Sequence, residues 1–167
     1  MEEALYLAEE NNKLYIRATG HVTAQLCAEL KARVFDRLDL KPPVDAVYVD
    51  LSQCEYMDST FMGLLVGFNK RFLRLSERPI SVLRANDVCK KLLSTIGVAR
   101  LVDMSDDAIA FPAEQERIGA LRQADAALLL DAHDNLIELS DENERKFSAL
   151  RSVLSDQIDK QKDGGGH

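Results

Sequence analysis

One segment constrains this chain more than any other. Val44-Asp45-Ala46-Val47-Tyr48-Val49-Asp50-Leu51 is an almost unbroken β-favouring run. Apolar on both faces, it fits a central strand covered by helices on at least one side. A short connection, Ser52 to Met57, leads to Asp58-Ser59-Thr60. From there to Leu75, residues Phe61, Leu64, Leu65, Phe68, Phe72 and Leu75 share one stripe at helical spacing. The Asp-Ser-Thr triplet therefore falls in the first turn of a long amphipathic helix.

The flanking segments extend this unit into a mixed α/β sandwich. Residues 4–8 and 13–19 are two short β-favouring runs, and Glu9-Glu10-Asn11-Asn12 supplies the turn of an opening hairpin. Gly20 ends the second strand. Thr23 suits the N-cap of a helix from Ala24 to about Leu38, with Leu26, Cys27, Leu30, Val34 and Leu38 on its apolar side. Lys41-Pro42-Pro43 breaks that helix, and Arg78-Pro79 ends the next. Residues 80–83 form a further strand. Asn86 or Asp87 caps a helix from Val88 to Ile96, which Gly97 terminates. Residues 101–102 and 108–111 supply a last strand or edge segment. The expected order is β-β-α-β-α-β-α-β over residues 1–112.

Composition marks where this unit stops. Residues 1–112 carry 14 basic and 16 acidic side chains, whereas residues 113–167 carry 7 and 12. Nine of the ten aromatics precede residue 113, leaving Phe147 alone beyond it. Pro112 opens a stretch rich in Ala, Glu, Gln, Arg and Leu, so residues 113–162 are expected to form a C-terminal helical extension. Leu121, Leu128 or Leu129, Ala132, Leu136, Leu139, Asn143, Phe147, Leu150, Leu154 and Ile158 trace an irregular apolar stripe. Ser140-Asp141-Glu142 suits a new helix start, which leaves one long helix and two shorter ones both open. Residues 163–167 read as a flexible end or an expression remnant.

The same arithmetic excludes several classes. A net charge of −7 without a basic stripe argues against nucleic acid as a partner. No apolar run approaches the roughly 20 residues of a bilayer span, and the acidic start MEEALYLAEENNK lacks a secretory pattern, so a cytoplasmic protein is expected. Cys27, Cys54 and Cys89 fit neither a disulfide framework nor zinc spacing and read as buried thiols. No catalytic motif of the GxSxG, HExxH, CxxC, GxxxxGK[ST] or GxGxxG kind occurs, and neither a metal nor another cofactor is implied. His133, beside Asp131 and Asp134, reads as part of a solvated helix face. His21 is a loop residue. Lys70, Arg71, Arg74, Arg78 and Arg84 read as a solvated basic helix face.

The segment from Asp50-Leu51-Ser52 through Asp58-Ser59-Thr60 to Gly63, Gly67 and Lys70 resembles the hallmark of STAS domains, specifically bacterial anti-sigma-factor antagonists. The order of flanking elements matches as well, over roughly residues 4–111. The resemblance implies a STAS-like mixed sheet with helices packed on it, here with the α-helical extension added. It implies a non-enzymatic, phosphorylation-switched binding module of bacterial partner switching and transcription regulation, with Ser59 as the phosphorylated residue. The implied partners are a GHKL-type serine kinase that is also an anti-sigma factor, and a PP2C-type phosphatase. The partner-binding surface implied for this chain comprises Asp58, Thr60, Phe61 and Met62, with His21 and Thr23 from the neighbouring turn. The family usually has Gly after the triplet, where Phe61 stands here, so that side chain offers either an apolar contact or inward packing.

Two other readings accompany this one. The first is a constitutive scaffold that assembles as a homo-oligomer through its helical tail without phosphorylation. The second is a small hydrolase with Ser59, His21 and an Asp.

Overall fold

The computed structural model describes residues 2–119 and 123–164. Strand β1 (Ala4–Glu10) turns back into β2 (Lys13–Val22), with Glu10 opposite Lys13. Asn11 and Asn12 both adopt the left-handed conformation, φ 53° and 61°, as a tight two-residue hairpin turn requires. Helix α1 (Cys27–Leu38), β3 (Ala46–Met57), α2 (Ser59–Ser76), β4 (Ser81–Leu83), α3 (Asp87–Ile96) and β5 (Asp103–Ser105) follow in the expected order. A sixth strand, β6 (Glu116–Ile118), precedes α4 (Ala126–Ile137) and α5 (Asp141–Gly164). The sheet order is β5-β4-β3-β2-β1-β6; β1 runs antiparallel to both its neighbours, and β2 through β5 are parallel.

Leu14, Ile16 and Ala18 of β2 and Val47, Val49 and Leu51 of β3 alternate onto one face and are buried in the core with Phe61, Phe68 and Phe72 of α2. Each of these large side chains contributes about 1.5 to 3 kcal/mol by leaving water. On the opposite pleat, Tyr15 stacks near Tyr48 and meets the ring of Phe111 edge-on, with centroids 4.9 Å apart. The Arg17 guanidinium lies over the same Phe111 ring and 3.4 Å from Asp50. The last strand or edge segment expected at 101–102 and 108–111 falls instead at Asp103–Ser105, and residues 108–111 are irregular, with Phe111 laid against this face.

Three other expectations change. β2 does not stop at Gly20: the glycine takes φ 68°, and the pairing with β3 shifts register there, so the strand continues through a bulge to Val22. Ser52 to Met57, expected as a connection, continues β3 because β2 extends alongside it. Glu116–Ile118, expected in the helical tail, pairs with β1, where Ile118 is buried. The tail itself resolves into two helices. Asp125 caps α4 through Leu128 N (2.8 Å), and Ser140 Oγ accepts from Asn143 N (3.0 Å) at the start of α5. Helix α5 runs to Gly164, two residues into the expected flexible end, whereas Leu121 and residues 165–167 lie outside the described residues. Among the described residues no helix is long and apolar enough to cross a membrane.

Candidate functional site

The site lies where the ends of β2 and β3 meet the first turn of α2. Asp58 is extended and caps α2, its Oδ1 accepting from Phe61 N at 2.9 Å. Its other oxygen accepts from Ala24 N at 2.8 Å, and its own N–H donates to Val22 O at 3.0 Å. One carboxylate therefore fastens the turn after β2 to the start of α2, satisfying amides that a helix start leaves unpaired. Thr23 takes the N-cap position of a 3-10 turn, Ala24–Leu26, without a side-chain capping bond, and α1 starts only at Cys27. The expected Thr23 cap is thus replaced by Asp58. The Cys27 thiol, which donates to Thr23 O, is pushed up by burial and by the Asp58 charge. Cys54 is also pushed up, by the neighbouring Cys89 thiol and by burial. All three thiols are buried and free.

Ser59 is the first residue of α2 and half-buried. Its partner is His133 from α4, with Oγ 2.8 Å from Nε2. The other ring nitrogen, Nδ1, sits 2.7 Å from Leu129 O. A carbonyl oxygen only accepts, so Nδ1 donates there, and in the neutral ring Nε2 accepts from the Ser59 hydroxyl. His133 is 2% exposed and packs edge-on against Phe147 of α5. Its expected place on a solvated face is therefore wrong. The available signal was its position between Leu129 and Leu136 on the apolar stripe, beside Ala132.

The other predicted site residues divide by exposure. Phe61 is 0% exposed and belongs to the core, which settles its direction as inward. Thr60 and Met62 are buried too, so neither they nor Phe61 offers side-chain surface to a partner in this form. Three successive helical residues span about 200° of the helix, so their burial takes cover on more than the sheet side, and α4 packs on α2 as well. His21 is exposed, 3.5 Å from Glu55 and stacked near Tyr56. Ser59 meets His133 rather than His21, and the far nitrogen of His133 faces a backbone carbonyl rather than a carboxylate. The hydrolase arrangement of Ser59 with His21 and an Asp is therefore not formed. Among the described residues no cluster of His, Cys, Asp and Glu could hold a metal ion.

Helix α4 crosses α2 at Gly63. A Cβ there would lie 2.1 Å from Ala132 O, so only glycine allows the approach. Asn135 Nδ2 donates to Gly63 O at 3.2 Å, and Lys70 reaches both Asn135 and Glu138. Lys70 and Arg71 of the basic face are thus paired, Arg71 with Asp39, and Arg78 donates to Asp45 O.

A mostly parallel sheet with a bulged second strand, and a third strand leading into a helix that opens on a capped serine, defines a small α/β module whose notable chemistry is a hydroxyl at a helix N-terminus. The chain belongs to the STAS domain family: residues 6–103, more than half of it, match the family described as Mlab, STAS domain. Its fold is similar to the anti-sigma factor antagonist SpoIIAA in its unphosphorylated form, with a TM-score of 0.55, 16% identity, 62% of this chain and 90% of that one covered. The Bacillus cell fate determinant SpoIIAA in the phosphorylated form gives a TM-score of 0.52 at 15% identity, covering 62% of this chain and 93% of that one. A putative anti-sigma factor antagonist from Thermotoga maritima gives 0.52 at 20% identity, covering 60% and 85%. Comparison with curated protein sequences finds no match.

Proposed function

We propose that this chain is a phosphorylation-switched protein-binding module, an anti-sigma-factor antagonist that docks a GHKL-type serine kinase while Ser59 is unmodified. The observation that carries this reading is the placement of Ser59: the first residue of α2, directly after a capping Asp58, at the end of the bulged strand pair of a STAS fold. Transfer of the ATP γ-phosphoryl group to Oγ releases ADP and the hydroxyl proton. It adds roughly 1.5 to 2 negative charges. The helix N-terminus tolerates that charge through its dipole, so the fold survives. The docking surface does not stay the same, because a dianion then stands beside the Asp58 carboxylate. Desolvating it against a partner, or meeting like charge, weakens the complex. A PP2C-type phosphatase restores the hydroxyl by hydrolysis. The solvent-facing neighbours available for docking are His21, Tyr56 and the half-buried Thr23 and Asp58.

The experiment combines the protein with a purified GHKL-type serine kinase and ATP, locates added phosphate by mass spectrometry, and measures affinity for that kinase. Ser59→Ala is expected to bind at least as tightly as the wild type and to take up no phosphate. Ser59→Glu is expected to bind at least tenfold more weakly. Equal binding by the two variants refutes the switch. The scaffold alternative needs the tail stripe free for assembly between chains. Leu128, Ala132, Leu136, Phe147 and Leu154 of that stripe are already buried within the chain, which favours the switch.

A further inference from the structure

The Ser59 end of α2 is only partly open in this chain, because α4 lies across it: Ser59 is half-buried and its hydroxyl meets His133. The approach is set by backbone: the carbonyl of Ala132 occupies the place where a side chain at Gly63 would stand. Next to that crossing His133 holds the Ser59 hydroxyl, and on its other side Asn135 bonds Gly63 O. Leu128, Leu136 and Phe147 complete the seam on the apolar side. The covering hairpin is anchored at its far end by Asn143, whose buried Nδ2 donates to Ile96 O at 2.8 Å and Leu136 O at 2.7 Å.

The cover also has the character of something displaceable. Helices α4 and α5 follow the matched residues 6–103 in the chain, so they are an addition to the family's unit. Along its rim α4 is tied by water-accessible pairs, Lys31 to Asp131 at 2.7 Å and Lys70 to Glu138. Such exposed pairs add little holding energy. A cleft of about 270 Å³ between α1, α2 and α4 shows that the seam is not closed along its whole length.

We propose that the α4–α5 hairpin is a built-in occupant of the docking face: it covers the Ser59 end of α2, and a protein partner reaches the hydroxyl only by displacing it. This rests on the reading of Ser59 as the centre of a docking surface. The contact chemistry defines the competitor. It must place a small residue or bare backbone against Gly63 and a polar group against Ser59, as α4 does with Ala132 and His133. The partner's apparent affinity is then its intrinsic affinity multiplied by the fraction of molecules that are open.

The test alters the tail and leaves α2 untouched. Ala132→Leu adds bulk at the crossing, and His133→Ala removes the bond to Ser59 without adding any. Affinity for the same purified GHKL-type kinase is measured with each full chain, and amide hydrogen exchange is followed in residues 126–137. The expected result is at least tenfold tighter binding by Ala132→Leu, about threefold by His133→Ala, and faster exchange of α4 in the wild-type complex than in the free protein. If the kinase binds the wild type while α4 keeps its protection in the complex, the hairpin is no competitor and the inference falls alone. If the kinase binds neither the wild type nor either variant, the docking reading falls and takes the inference with it.

Discussion

Replacing Gly63 by alanine is the sharpest probe of how α4 is held. The added methyl would lie 2.1 Å from Ala132 O, 2.6 Å from its carbonyl carbon and 2.9 Å from its Cα, all of them backbone atoms that no rotamer change can move away. Ordinary contact requires α4 to retreat by roughly 1 to 1.5 Å at this point. The adjacent bonds, Ser59 to His133 at 2.8 Å and Asn135 to Gly63 at 3.2 Å, then lengthen beyond useful range. Each such bond contributes about 1 kcal/mol, and overpacking of this kind adds about 1 to 3 kcal/mol. Alanine recovers about 1 kcal/mol through its better helix propensity. The net expectation is a loss of about 2 to 4 kcal/mol, or a Tm lower by roughly 4 to 16 °C for a chain of this size. Thermal unfolding gives the magnitude, and hydrogen exchange places it: protection should fall across residues 126–137 while β2 and β3 keep theirs. A Gly63→Ala chain that melts higher than the wild type, with α4 still protected, would refute the close crossing and leave only the propensity gain visible.

Three further perturbations bear on the same architecture. Asp58→Ala removes the acceptor of both Phe61 N and Ala24 N and should cost about 1 to 3 kcal/mol in denaturant unfolding, with Asp58→Asn recovering part of it; an alanine variant of unchanged midpoint would dispose of the cap. Asn143→Leu leaves Ile96 O and Leu136 O without their buried donor and should lower stability by about 2 to 3 kcal/mol, seen as early loss of the Phe147 environment by NMR. The Glu116 carboxyl is held below the usual carboxylate range by its hydrogen bond from Arg33 and by the guanidinium charge. A depressed folded pKa stabilises above the unfolded value of 4.5 and loses that contribution as pH falls through the folded value. Acid unfolding below about pH 4.5 should therefore come at higher pH in the wild type than in Glu116→Gln when each is referred to its neutral-pH stability; identical acid profiles would count against the pairing.

What residues close in the chain decide was legible from the sequence alone. The β-favouring run from Ala46 to Leu51, the stripe of Phe61, Phe68 and Phe72, and a hydroxyl at Ser59 in the first turn of α2 follow from period and residue type, which act over a few positions. So did the order of the first eight elements. What depends on contacts between distant segments was decided only by the tertiary structure. Glu116–Ile118 is a strand because β1 presents a free edge to it, not because of its own propensity. Gly20 continues a strand because β3 pairs beside it. His133, 74 positions from Ser59, has no local feature that names its partner. On a helix surface a polar residue flanked by Asp131 and Asp134 reads as solvated; packing at Gly63 turns that face inward, and burial then requires the imidazole to find a donor and an acceptor, which it does in Ser59 and Leu129. The serine was therefore readable as a site, whereas its cover was not, because the cover exists only as a contact between two helices.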